Sequence, residues 1–408
     1  MLRIIKTLLK FIDLKWGAGK NKPEEFSGYS LIFIDNKFEN FFEQIEIFFN
    51  SGFLNKKKTI LVVKFYKNNY YKIFENANRL GIRVVFYLFY RQIPVLDGKI
   101  IFYPYNSQSN CRLILNRNAR HVFLTHGESN KKASINRMVR LYDHVLAAGD
   151  FSRQRYLESE IFTSHDIEAG RVIRVGAALS AQCFEYLSFN ATQPCIAYMP
   201  TWEGGLEDEN FSSIAIPKVV DILCGILNYF KINCILIKCH PNTGGRIKSY
   251  KDALAVISRK LLSRGVDVHV DPSSMHYLDG YSSIRTAIKS GDENLKIRFG
   301  VVDISAAEFM LAAKKIPTVV LLRKKEKCFA PLDYWRIREK AIINLDDGSS
   351  IEGAIDYLNS SDSIDEFIIK SFSLENNLKE ENAQRIGEIL FDRWHNEMQE
   401  NNLILGKS

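Results

Sequence analysis

Short apolar runs rich in β-branched residues alternate with longer helical patterns along most of this chain, and that alternation constrains its fold more than any other feature. Repeated strand, helix and strand of this kind build a parallel sheet, so the fold class is α/β. In the first half the expected strands are Ser30–Asp35, Thr59–Phe65, Arg83–Leu88, Lys99–Pro104, His121–His126, His144–Gly149 and Arg171–Gly176. Helical stretches such as Asn36–Asn50 and Asn69–Gly81 lie between them. The pattern restarts after a polar segment near Ser188–Pro194, with strands Cys195–Pro200, Cys234–Cys239, Val266–Val270, Ile297–Asp303, Pro317–Leu322 and Ala341–Leu345. Two Rossmann-like domains follow from this, over residues 28–187 and 194–350, with C-terminal helices over 351–408. No internal repeat, low-complexity tract or heptad array interrupts them.

A length of 408 residues agrees with two domains, since one hydrophobic core seldom grows so large. Hydrophobic residues make up 46% and charged residues 25%, the balance of a folded chain. The net charge of +8 is spread along the sequence, and no basic stripe of the kind that binds nucleic acid stands out. Tyr and Phe are equally dispersed and belong to the core, so a nucleic-acid partner is not expected; anionic substrates or an anionic membrane surface are. The seven cysteines include no CxxC pair, and several sit in apolar runs, so their spacing offers neither a disulfide framework nor a zinc site. Reduced thiols place the chain in the cytoplasm.

No apolar run reaches the roughly 18–20 residues that cross a bilayer. Residues 1–20 instead form an expected amphipathic helix. Leu2, Ile5, Leu8, Leu9, Ile12 and Trp16 share one face, and Arg3, Lys6 and Lys10 another. A basic helix of this type suits the headgroup layer of an anionic membrane through residues 1–16, with a peripheral location on the inner face of the cell membrane as the expectation; an ordinary surface helix packed against the domain is the alternative.

In open α/β sheets, ligands collect beyond the carboxyl ends of the strands. Four loops there carry the chemistry. The first is His126-Gly127-Glu128, followed by Lys131 and Lys132. It offers an imidazole suited to removing a hydroxyl proton, a carboxylate to orient it or act as a second base, and cations for an anionic arrival. The second is Thr201-Trp202-Glu203-Gly204-Gly205, where Thr201 has a hydroxyl and an amide for a phosphate oxygen. The third, His240-Pro241-Asn242-Thr243-Gly244-Gly245-Arg246, clusters donors that suit a diphosphate leaving group. The fourth, Asp303-Ile304-Ser305-Ala306-Ala307-Glu308, starts a helix. Ser305 and Glu308 have capping-box spacing there, and that helix start is an anion site from which Glu308 has the length to reach a ribose hydroxyl.

Together these loops resemble the CDP-glycerol glycerophosphotransferase family, whose members prime or polymerise teichoic acids and related capsule polymers. The resemblance is carried by His126-Gly127, Pro200-Thr201-Trp202, Lys238-Cys239-His240-Pro241 and Asp303-Ile304-Ser305-Ala306, over about residues 120–325. It implies the two-Rossmann-domain architecture called GT-B, with acceptor bound by the first domain and nucleotide donor by the second. It further implies His126 as general base on the acceptor hydroxyl, with Gly127, Glu128, Lys131 and Lys132 on that side. His240 and Ser305 would contact donor phosphates, with Thr201, Trp202, Pro241, Asn242, Asp303, Ala306 and Glu308 around them. The sequence departs from the family at Glu203-Gly204-Gly205, where relatives often carry Arg-Asp-type residues, and at Ala306 and Ala307.

The expected reaction, as the resemblance implies, moves glycerol phosphate from CDP-glycerol to a hydroxyl of a lipid-linked saccharide, in priming or building a teichoic-acid-like or capsular polysaccharide; a single compact unit suits a primase. A GT-B glycosyltransferase using a nucleotide-sugar needs the same base and clamp. A membrane-associated binding module without catalysis is the third reading. No Asp-x-Asp pair suited to a metal–diphosphate lies near these loops, so a reaction without cofactor or metal is expected.

Overall fold

The computed structural model describes residues 28–35, 41–67, 70–93, 96–125, 128–179, 191–291, 294–346, 351–374 and 383–404. The expected membrane-associating helix at residues 1–20 lies outside these residues, as do His126, Gly127 and Cys183.

Two parallel seven-stranded sheets form the two halves, as expected. The first contains β1 (Ser30–Ile34), β2 (Thr59–Lys64), β3 (Arg83–Tyr87), β4 (Ile100–Tyr103), β5 (Arg120–Phe123), β6 (His144–Ala147) and β7 (Val172–Arg174). The second contains β8 (Gln193–Met199), β9 (Cys234–Ile237), β10 (Asp267–Val270), β11 (Lys289–Ser290), β12 (Leu295–Asp303), β13 (Thr318–Leu322) and β14 (Ile342–Asn344). Thirteen of these fourteen strands coincide with an apolar run read from the sequence; β11 does not. It is two exposed residues paired to the edge of β10, too short and polar to leave a hydropathy signal.

The strand orders are β3-β2-β1-β4-β5-β6-β7 and β11-β10-β9-β8-β12-β13-β14. Each reverses direction once, between β1 and β4 and between β8 and β12. A crevice opens at such a reversal because the flanking loops leave toward opposite faces of the sheet. Strands such as Ser30–Ile34 and Thr318–Leu322 are buried at every position, and their unbroken apolar run reflects helices on both faces. Accordingly each sheet has two cores. Phe41, Ile45, Ile73 and Ala77 pack on one face of the first sheet, and Leu113, Tyr142 and Tyr156 on the other. Val219, Leu223, Leu254 and Leu261 cover one face of the second, and Phe211 and Leu311 the other.

A separate apolar cluster joins the halves. Phe151, from the helix Asp150–Glu158, packs with Phe309, Tyr334, Ile337 and Phe367 of the second half. The Phe151 and Tyr334 rings meet edge-on at 5.7 Å. The chain then returns to the first domain. The helix Ala383–Ile404 buries Ile386, Leu390, Trp394 and Met398 in the first core, with Trp394 stacked on His144 at 5.4 Å. Gly387 permits that approach, since a Cβ there would lie 2.4 Å from the Phe53 carbonyl oxygen. Two parallel sheets, an interdomain seam and a C-terminal helix crossing back make this a GT-B-like architecture.

Candidate functional site

The loops after β8 and β12 flank the reversal of the second sheet, so neighbouring strands bring together residues about a hundred positions apart. Asp303, the last residue of β12, is fully buried and accepts the amides of Thr201 (2.7 Å) and Ser213 (3.1 Å) on Oδ2. Its Oδ1 is buried without a hydrogen-bond partner. Burial raises this carboxyl to about 6, against the opposing pull of its hydrogen bonds and of Lys131.

Lys131 arrives from the other domain. Its Nζ donates to Thr201 Oγ1 at 2.7 Å and lies 5.9 Å from the centre of the Phe211 ring. Desolvation brings the ammonium down to about 8, although Asp303 and Glu209 hold it up. A lysine and a carboxylate whose proton affinities converge on neutrality, in the crevice between domains, have the signature of a functional site.

His240 closes the same crevice from β9, its ring stacked on Trp202 at 5.9 Å and 20°. Its Nδ1 accepts the Asn242 amide at 3.1 Å, so the ring proton of the neutral form resides on Nε2. Desolvation, with Lys131 adding to it, pushes the imidazole down to about 4. At neutral pH His240 is therefore an uncharged Nε2–H donor. Tyr277 holds the loop by donating its hydroxyl to the His240 and Pro241 carbonyls, at 3.1 and 2.9 Å.

Several expected site residues are engaged otherwise. The Thr201 amide is taken by Asp303 and its hydroxyl accepts Lys131 Nζ, so this buried residue places the ammonium, and Asp303 is an internal anchor beneath the loop. Glu308 does not form a capping box: Ser305 caps the helix Ala306–Ala313 by accepting the Ala307 amide at 3.3 Å. The Glu308 carboxylate, 1% exposed, instead meets Arg338 Nε at 2.9 Å and the Tyr334 hydroxyl at 2.9 and 3.0 Å, so it cannot reach a ribose. Glu128 likewise receives Arg155 (3.1 Å) on one oxygen and the Ala148 amide (3.1 Å) on the other, which removes it as a base. Arg246 is tied to the Gly204 and Glu203 carbonyls and to Glu207. Lys132, Pro241 and Asn242 are exposed, and Ala306 is half-buried in the first helical turn.

Glu203 is the residue that sequence reasoning passed over. It is fully buried, and its carboxylate accepts the amides of Gly244 (3.0 Å), Arg246 (2.8 Å) and Ile247 (2.9 Å). Those amides, read from the glycines as open to a phosphate, are pinned by this side chain. An acidic residue inside a loop of Thr, Trp and Gly was the available signal, since a carboxylate there needs donors from elsewhere.

At the base of the His126 loop, Thr125 has φ 60°, a left-handed conformation that a β-branched residue rarely adopts. Thr125 and Glu128 also line a cavity of about 40 Å³ with Asn106, Phe123, Ser134 and Arg155.

No family model and no curated protein matches the chain. Among solved structures, it is similar to the wall teichoic acid polymerase TagF with CDPG, at 14% identity over 98% of this chain and 97% of that one, with a TM-score of 0.44. It is also similar to S. aureus TarM in complex with UDP (9%, 90% and 100%, TM-score 0.47). A third is the Thermobaculum terrenum O-GlcNAc transferase (11%, 93% and 70%, TM-score 0.43). The fold assignment rests on the strand orders and the returning helix described above.

Proposed function

We propose that the chain is a transferase acting on a nucleotide-activated donor, and that it moves glycerol phosphate from CDP-glycerol to a hydroxyl of a lipid-linked saccharide. The observation that carries the reading is the junction of Lys131 with Thr201 and Asp303 beside His240, at the reversal of the second sheet. A diphosphate placed there meets the Lys131 ammonium held by Thr201, the His240 Nε2–H and the Ser305 end of the helix Ala306–Ala313. All three are suited to charge that develops on a leaving phosphate. The resemblance carried by the strand-end motifs supplies the donor, the acceptor and the role of His126.

In this mechanism His126 takes the acceptor hydroxyl proton as that oxygen bonds to the β-phosphorus of CDP-glycerol. The bridging P–O bond breaks, its electron pair goes to the α-phosphate, and CMP leaves. Little covalent work falls to the protein; positioning and charge stabilisation account for the rate, without a cofactor or metal at the phosphates. Residues 1–16 hold the enzyme on the anionic inner face of the cell membrane, where a lipid-linked acceptor resides.

Incubation with CDP-glycerol, CDP-ribitol and UDP-sugars plus a lipid-linked acceptor, with nucleotide release measured, tests this. CMP released with CDP-glycerol is expected, abolished by His126→Ala while donor binding survives. UDP release alone moves the reading to a nucleotide-sugar transferase. No turnover with any donor, and ligand binding unchanged in His126→Ala and His240→Ala, makes the protein a binding module. Deleting residues 1–16 is expected to free the protein from anionic liposomes; undiminished pelleting refutes that attachment.

A further inference from the structure

The opposite end of the second sheet holds a group of side chains that donor chemistry does not use. Register places Ile196 beside Ile235 and Cys234 beside Asp267, so Cys195, Cys234 and Asp267 form a row across the starts of β8, β9 and β10. His269 lies two residues along β10 and shares the face of Asp267. The Cys195 and Cys234 sulfurs are 2.9 Å apart. Among the described residues, Cys234, Asp267 and His269 are the one group of three or more His, Cys, Asp or Glu whose ligating atoms all lie within 4.8 Å of one another.

Cys195, Cys234 and His269 are 0%, 2% and 1% exposed. The His269 Nε2 is 3.3 Å from Asp267 Oδ2, its buried Nδ1 has no well-aligned partner, and the ring faces the Cys234 thiol. An imidazole nitrogen left unsatisfied in a core costs about 1–3 kcal/mol. Thiols are weak donors and acceptors and offset little of it. The Cys234 sulfur, the His269 imidazole and the Asp267 carboxylate lying together, with the Cys195 sulfur beside that of Cys234, are by contrast a donor set for a metal ion.

We infer that Cys234, Asp267 and His269 bind a thiophilic divalent cation, with Cys195, whose sulfur lies beside that of Cys234, turning in as the fourth ligand, and that zinc is the ion their chemistry fits. Two thiolates, a neutral imidazole and a carboxylate give four ligands of the kinds that zinc takes in closed tetrahedral sites. Binding displaces the two thiol protons to solvent, so the two thiolates balance the ion's charge. Asp267 Oδ2 also accepts from Gln193 Nε2 (3.2 Å) and Lys289 Nζ (2.9 Å), which holds the carboxylate beside the imidazole. Five residues, four of them in β8, separate Cys195 from Thr201, about 20 Å of extended chain. The ion therefore takes no part in transfer. It ties three central strands together where the chain enters the second domain.

The test uses the reduced full chain, stripped of metal and titrated with zinc against a chromogenic chelator. One equivalent per chain is expected. Cys234→Ser and His269→Ala should weaken it at least about tenfold, and Cys239→Ser, on the other face of the sheet, should not. Cobalt bound to the wild-type chain should show a thiolate-to-cobalt charge-transfer band, a readout that stands even if a variant fails to fold. Absence of stoichiometric zinc, absence of that band, or equal affinity in Cys234→Ser overturns the inference. So does a Cys195–Cys234 disulfide in the freshly purified protein, which would make the pair a redox couple.

Discussion

Replacing Glu203 with glutamine tests whether one carboxylate holds the His240 loop in place. Glu203 Oε1 accepts the amides of Arg246 and Ile247, and Oε2 that of Gly244. In Glu203→Gln the remaining carbonyl oxygen serves two of these without charge assistance, and the new amino group faces the third, donor against donor. Hydrogen bonds to charged groups contribute about 1.5–3 kcal/mol, and a buried amide left unsatisfied costs about 1–3 kcal/mol. Allowing for coupling among three bonds on one group, the loop should lose about 3 kcal/mol of local stability. Hydrogen exchange of a peptide spanning residues 240–250 then accelerates roughly a hundredfold. Exchange at the wild-type rate would refute the assignment.

The acid dependence adds a second readout. Burial alone would raise the Glu203 carboxyl, but the amides of Ile247, Gly244 and Arg246 hold it below its ordinary value. A depressed folded value means that its contribution is complete above the unfolded pKa, roughly 4.3, and is lost as pH falls through the folded one. Protection of the loop should therefore persist from pH 7 to about 5 and fail in stronger acid. The Glu203→Gln chain should show no such acid step.

Two other substitutions probe the remaining networks. Arg338→Met leaves the buried Glu308 carboxylate unpaired and should cost about 3–5 kcal/mol in denaturant unfolding; adding Glu308→Gln should recover part of that, and no recovery would show that the pair is not the cause. Lys131→Met should lower nucleotide release about 10²–10³-fold. In the wild type, donor affinity should decline as pH rises through about 8, where Lys131 loses its charge, and this decline should vanish in the variant. An unchanged pH profile would place the ammonium outside the donor site.

The strand positions were legible because their signal is local. Runs such as Leu31–Ile34 and Val319–Leu322 are apolar at every position, and a parallel sheet covered on both faces imposes that composition. From strand ends alone, Lys131, Thr201, His240 and Ser305 could be picked as candidates, since the loops after parallel strands open on one edge. Their partners could not be. Thr201 meets Asp303 only because β8 lies beside β12 in a strand order that hydropathy does not encode.

The same limit governs charge. Glu128, Arg246 and Glu308 looked available in sequence, and packing gave each a partner from a distant segment: Arg155, the Glu203 loop and Arg338. Glu203 looked like a departure and is the anchor of the His240 loop. Cysteine spacing argued against a metal site, yet register sets Cys195 beside Cys234 although 39 positions separate them. Periodicity is a property of neighbouring residues, so the sequence by itself determined where thirteen of the fourteen described strands, all but the two-residue β11, and the loops after them would lie. Pairing energies act between residues adjacent in space, so only the tertiary structure decided which of those loops meet, and which charges remain for a ligand.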